Sequence, residues 1–308
     1  MSQSQQVSAP SPARRSGIAG WITATLRWTL IILCALAIGP IAASLLQHVR
    51  DVDGGHAISM LVSESVGSSI IAVGAVLAAA AAIAAFGAKI FSPTVAFPCA
   101  GLIAGWGAWR TGTLEEMIRR SRSGNEQFTF AIENAIIVAV AVAIALIIAR
   151  LSRRTASPSN TKPSFISWFG DVDRHGKLAS MMLASFASAA VAAGVAGYLG
   201  AATMAKGQAV FAAVLAGIAA GVVAQMVSRS QSGNVTPALP IAAAIIPAIA
   251  GPLVAKFLHA DKIVAATFAG NVFPLARIMC LDWACGLLLG VPVGMGWAGA
   301  MLDEHAHK

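Results

Sequence analysis

Runs of about twenty apolar residues, one after another, decide what this chain can become. A helix rises about 1.5 Å per residue, so roughly 20 residues cross a ~30 Å hydrocarbon core. Eight runs qualify: 28–46, 68–91, 94–110, 128–149, 178–204, 208–227, 236–256 and 278–300. Backbone polar groups in lipid must be satisfied internally, which separate runs of this length achieve as helices. The expected fold class is all-α, a polytopic transmembrane helical bundle of about eight spans. The third run is the weakest, with Pro98 inside it and charge close behind. With 57% hydrophobic and 11% charged residues, an ordinary soluble domain is excluded.

A duplication lies on top of this pattern. Met117-Ile-Arg-Arg-Ser-Arg-Ser-Gly-Asn125 returns as Met226-Val-Ser-Arg-Ser-Gln-Ser-Gly-Asn234, with six of nine positions identical. Asp51-Val-Asp53 matches Asp171-Val-Asp173, and Met60 matches Met181. Ala100-Gly-Leu-Ile-Ala-Gly105 matches Ala216-Gly-Ile-Ala-Ala-Gly221 in the same order. Internal repeats fix architecture, so they constrain the fold next. Each copy holds three runs and closes on a basic residue, Arg150 or Lys256. Three crossings are an odd number, so the two copies are expected to lie upside down relative to one another.

The expected organisation is a disordered cytoplasmic tail over 1–19 and a first membrane helix within 20–50. A three-helix repeat over 51–150, a polar linker over 151–177 and a second repeat over 178–257 follow. The segment 258–308 holds the last membrane helix and a short tail. Arg14 and Arg15 precede the first run by too great a gap, with no clear small-residue cleavage site after it, which favours an uncleaved helix. The most basic segment, 150–177, belongs on the cytoplasmic side. Both termini are then cytoplasmic, with 12 Lys/Arg inside against 8 outside and Arg277 left beside the last span. This pattern points to a bacterial inner (plasma) membrane.

Each conspicuous polar residue needs a partner or a task, because an ionisable group in hydrocarbon costs about 2.5–3.5 kcal/mol even on the insertion scale. Glu133, followed by Asn134, stands just inside the fourth run, and its counterpart in the second copy is read as Pro240. As a functional group Glu133 would carry a proton or cation. As a structural one it would sit at headgroup depth against Arg119, Arg120 or Arg122. Arg277 and Asp282 are the second candidate pair of polar residues, five apart and so not an internal ion pair. A last helix beginning at Asn271 would put Asp282 near the midplane; one beginning near Ile278 would leave both interfacial. Arg110, Glu115, Glu116, Arg119 and Arg120 form a charged block, read as a solvated helix extension or a docking surface.

Glycine and asparagine carry local meanings. Asn125, Asn234 and Asn271 each follow a glycine, the pattern of a helix end with a left-handed glycine and an asparagine cap for the next helix. Gly101 and Gly105, Gly217 and Gly221, and Gly290 and Gly294 are each spaced one turn apart, which is expected to give helix-packing faces. Cys34, Cys99, Cys280 and Cys285 read as buried thiols, and His48, Asp51, Asp53 and His56 lack a fixed metal-ligand spacing. Lys89 and Lys206 can reach an interface by their long stems, and several of the seven tryptophans fall near span ends.

No nucleophile–base set, phosphate-binding loop, metal set or cofactor motif is present, so no catalytic role, metal or cofactor is assigned. The net charge of +8 fits basic loops on a negatively charged leaflet, and no soluble segment is large enough for a nucleic-acid module. Expected partners are the lipid bilayer and a further membrane protein or a second copy in a homo-oligomer. Inverted repeats suggest a secondary transporter or channel-like protein for an unknown small solute or ion. The alternative is a non-catalytic structural or assembly subunit of a membrane complex, for which Ala/Gly-rich helices are equally suited.

Overall fold

The computed structural model describes residues 18–49, 59–121, 126–156, 169–172 and 178–306. Expectations placed on Asp51, Asp53, His56, Arg122, Asn125 and Asp173 fall outside them. The side chains of His48, Arg119 and Arg120 do too. The helices are α1 (Ile18–Leu33), α2 (Gly39–Ser44), α3 (Val66–Ile90), α4 (Pro93–Arg110), α5 (Leu114–Ser121), α6 (Glu126–Ala156), α7 (Leu178–Gly200), α8 (Lys206–Ser230), α9 (Ala238–Ala243), α10 (Ile245–His259), α11 (Ile263–Phe268) and α12 (Cys280–Ala306). Two short strands, β1 (Gly170–Val172) and β2 (Gly233–Val235), pair antiparallel with Asp171 opposite Asn234.

Among the described residues, seven helical stretches are long and apolar enough to cross a membrane: Gly20–Gln47, Val66–Ile90, Glu126–Ser152, Leu178–Gly200, Lys206–Ser230, Ala238–Phe268 and Cys280–Glu304. The chain is a multi-pass, all-α membrane protein. The eighth expected run forms α4, a helix of 18 residues that is not among the seven. Its composition explains the difference, since Pro98, two tryptophans and Arg110 dilute the aliphatic residues. Pro93 opens α4 at a position where the absent N–H does no harm.

The first span is continuous but irregular. Between α1 and α2 the backbone makes a π turn over Cys34–Ile38, where the Gly39 N–H reaches the Cys34 carbonyl. That leaves the Ala35 carbonyl without a helical donor, because the following Pro40 has no N–H. Trp106 of α4 supplies the missing bond, its Nε1–H donating to Ala35 O at 2.7 Å. The same close approach requires a bare Gly39, whose Cβ would fall 2.4 Å from Trp106.

The helix expected at the edge of the two repeats turns out to be central. Residues 278–288 of the last segment are buried on every side, as a helix apolar all round must be. α12 packs against α4 and α8, and also against α6. α4 and α8 are the second helices of the two units expected from the sequence, and α12 contacts both. The third helices, α6 and α10, pack on each other. By contrast α1 is peripheral, with Trp21, Trp28, Leu36 and Ile41 exposed along its span.

Bare backbones make the close α12 contacts. A Cβ at Gly217 would meet Gly286 O at 2.6 Å, and at Gly221 it would meet Val291 O at 2.4 Å. Cβ atoms at Gly290 and Gly294 would meet Val214 O at 2.3 Å and Ile218 O at 2.1 Å. On the other flank Gly101 faces Leu289 and Gly105 faces the Cys285 thiol. Side chains at these places would hold the helices apart, forfeiting the dispersion contacts that drive association in lipid.

Several local expectations are revised. The last helix begins at Cys280, close to Ile278 and not at Asn271. Asn271 caps no helix start: its backbone N–H closes the end of α11 on Ala266 O, beside Gly270 with φ +68°. Asn234 lies in β2, and its Oδ1 accepts from Gln225 Nε2. The following helix α9 starts without a side-chain cap, and the left-handed residue of that turn is Ser232, with φ 54°. A strand pairing in place of a tight helix reversal accounts for this difference. The charged block is not an extension of α4 either. α5 is a separate amphipathic helix, and its Leu114 and Ile118 are buried against Phe130, Ile263 and Val272.

Candidate functional site

The polar residues gather at one end of the bundle, where α4 ends and α6, α8 and α12 begin. Glu133 is two turns into α6 and 1% exposed, so it is enclosed by protein. Among the described residues its partners are all neutral donors. Met60 N–H reaches Oε1 at 3.0 Å, and Leu61 N–H reaches Oε2 at 3.4 Å. The Ser59 hydroxyl donates to Oε2, and the Cys280 thiol to Oε1 at 3.0 Å. The segment joining the first span to α3 thus folds onto the carboxylate with its backbone amides. A carboxylate can satisfy all four donors because it is an acceptor throughout.

A small cavity of about 10 Å³ touches Glu133, Ser59, Cys280 and Thr111, with Leu46, Val49 and Val73 closing its apolar side. That is about the room one water needs. Thr111 is also the link to the second charged group. Lys206, the first residue of α8, places Nζ 2.8 Å from Asp282 Oδ1. It also donates to Thr111 Oγ1 at 3.1 Å and Gly112 O at 3.4 Å. Asp282 is fully buried although it stands in the first turn of α12. Its Oδ2 accepts the Met279 N–H at 3.0 Å, a reach-back from the third helical position that ties down the helix start.

Asp282 stands at the start of its helix, as a helix beginning near Ile278 would place it, yet it is fully buried against Lys206. The sequence signal for that partner was weak, since Lys206 at a span end had a sufficient explanation in its long stem. The four cysteines likewise read alike, while only Cys280 carries a bond to Glu133.

Asn134 and Arg277 have backbone tasks. Asn134 Nδ2 donates to Ala248 O at 2.8 Å. In a regular helix that carbonyl would take the N–H of residue 252, and Pro252 has none. Arg277 donates to Ala201 O at 2.8 Å, Ala202 O at 2.5 Å, Gly270 O at 2.8 Å and Val272 O at 3.0 Å. One guanidinium thus binds the end of α7 to the turn after α11. Burial pulls Arg277 below its ordinary pKa, with Tyr198 acting in the opposite direction. Arg277 and Asp282 do not meet.

Outside this cluster a cleft of about 490 Å³ opens over Arg110, Thr111, Gly112, Thr113, Glu116 and Lys206, with Trp106 and Trp109 at its base. Thr113 and Glu116 form a capping box at the start of α5, where Glu116 Oε2 accepts the Thr113 N–H at 2.7 Å. Counted without a gap from Asn125 and Asn234, the position matching Glu133 is Ala242, two residues beyond Pro240. By either alignment the carboxylate is matched by an uncharged residue.

The chain matches no protein-family model, no curated protein and no solved structure.

Proposed function

We propose that the chain is a small secondary transporter or channel-like protein of a bacterial inner membrane, moving an ion or small solute. Two inverted three-helix units flank the central α12, with both termini cytoplasmic, and Glu133 couples movement to protons. The observation that carries this reading is an enclosed carboxylate held, among the described residues, by neutral donors alone. An ionisable side chain enclosed in a membrane bundle is expensive, which favours a task beyond packing.

Protonation gives the coupling its mechanics. Ionised Glu133 accepts from Ser59, Met60, Leu61 and Cys280. Once protonated, it carries an O–H that must itself donate, and it has fewer strong acceptor sites. The hold on Ser59–Leu61 then weakens, and this is the segment that closes the small cavity. Proton binding would release the segment and proton loss would recapture it, which is the coupling an alternating-access carrier requires.

Purified protein in liposomes loaded with a pH-sensitive dye tests this under an imposed membrane potential. Proton entry above that of protein-free vesicles is expected, with Glu133→Gln reduced to background while eluting as a folded, monodisperse protein. Equal proton entry with wild type and Glu133→Gln, or none with wild type, would refute the coupling.

A further inference from the structure

Between α4 and α8 runs a groove floored by α12. Both outer helices pack on α12 and hardly on each other, which leaves the seam between them open. The apolar part encloses about 320 Å³ against Gly101, Leu102 and Gly105 of α4, Val210 of α8, and Cys285 and Leu289 of α12. Trp106 and Trp109 line this groove and also line the polar cleft above it. The two spaces therefore adjoin at these tryptophans, one apolar along the helices and one polar at the end of α4. Along α4 the groove follows Gly101 to Trp109, about 12 Å of helix axis.

The charges at its polar mouth are mixed. Lys206 is neutralised by Asp282 at 2.8 Å. Arg110 is exposed and has no hydrogen bond or ion pair among the described residues, so its guanidinium is available. Glu116 is also exposed, and among the described residues only one of its two oxygens is engaged, by the Thr113 amide. The mouth therefore presents one cation for an acidic group and one carboxylate for a cationic group. Trp109, 61% exposed beside Arg110, is a residue of the membrane–water boundary.

We infer that this groove binds an aminophospholipid, with its phosphate at Arg110, its primary ammonium at Glu116 and an acyl chain between α4 and α8. An ammonium with N–H donors matches Glu116 better than a trimethylated one. A headgroup without a cation would leave Glu116 unpaired beside a phosphate. The occupant enters sideways from the bilayer, through the seam left open between α4 and α8. This assignment does not depend on proton coupling at Glu133.

The test is lipid retention by delipidated protein in detergent, read by native mass spectrometry. Dioleoyl phosphatidylethanolamine, phosphatidylcholine and phosphatidylglycerol are supplied at equal mole fraction. One phosphatidylethanolamine per chain is expected in preference to the other two. Arg110→Gln should weaken its retention about five-fold, the effect of one interfacial cation on a phosphate. Glu116→Gln preserves the capping box but should abolish the preference for phosphatidylethanolamine over phosphatidylglycerol. Val210→Trp, which fills the apolar groove, should abolish retention; Val210→Phe serves if the larger residue prevents folding. Equal retention of the three lipids, selectivity unchanged in both charge variants, or full retention with the groove filled would each overturn the assignment.

Discussion

Three side chains in this protein do one kind of work: they supply hydrogen bonds that proline or a helix break has removed. Trp106 serves Ala35 ahead of Pro40, Asn134 serves Ala248 opposite Pro252, and Arg277 serves four carbonyls at the ends of α7 and α11. An orphaned carbonyl in a bilayer has no water to turn to, which is why polar residues are tolerated there. Asn134→Leu should therefore destabilise the protein by about 0.6–2 kcal/mol. In combination with Pro252→Ala the loss should shrink, since the restored amide at 252 can donate to Ala248. Unfolding titrations in a double-mutant cycle measure this directly. An identical penalty in both backgrounds would show that Asn134 acts through something else.

Asn134 was legible as a polar residue needing a reason, but the reason was not legible. Its partner carbonyl is 114 residues away and becomes available through a proline on another helix. Spacing along one helix contains no record of such a contact. The same holds for Glu133, two of whose four donors are backbone amides that any residue would provide. The salt bridge between Lys206 and Asp282 also joins residues far apart in the chain.

At the scale of elements, hydrophobic run length served well, because membrane thickness is a constraint each helix meets alone. What it did not disclose was position in the bundle. Nothing in an apolar run of 278–300 distinguishes a peripheral helix from a central one, and α12 is central because its glycine face admits the α8 backbone. The glycines are not equivalent, however. A Cβ at Gly290 would meet Val214 O at 2.3 Å, whereas at Gly296 it would meet nothing within 4 Å. Gly290→Ala should cost about 1–3 kcal/mol from forced separation of α8 and α12. Gly296→Ala should be neutral, or stabilise by up to about 1 kcal/mol through helix propensity. Thermal unfolding of the two variants side by side checks the contrast, and equal effects would contradict it.

On the scale of the whole molecule, the question is whether the duplicated units are inverted. That depends on α4. Its 18 residues give a length of about 27 Å, close to the hydrocarbon thickness. The contacts at its two ends are instructive. Gly87 meets Ala96 near the turn between α3 and α4, while Thr111 at the far end meets Lys206. α4 thus travels the height of the bundle, and the start of α8 lies beside its finish. If that height is the membrane, each unit crosses three times, and the α3–α4 turn and the matching α7–α8 turn emerge on opposite faces. The polar cluster around Glu133 and Asp282 then belongs to one face only, as an asymmetric gate would require.

Labelling in sealed, oriented vesicles with a membrane-impermeant maleimide decides this. Single cysteines would be introduced as Ser92→Cys in the turn between α3 and α4 and Thr203→Cys in the turn between α7 and α8, against four native cysteines that are all buried. Opposite units predict that one variant is labelled from outside and the other only after the membrane is opened. Labelling of both from the same side would mean that α4 does not cross and the two units are parallel, and the inverted-repeat account would fail.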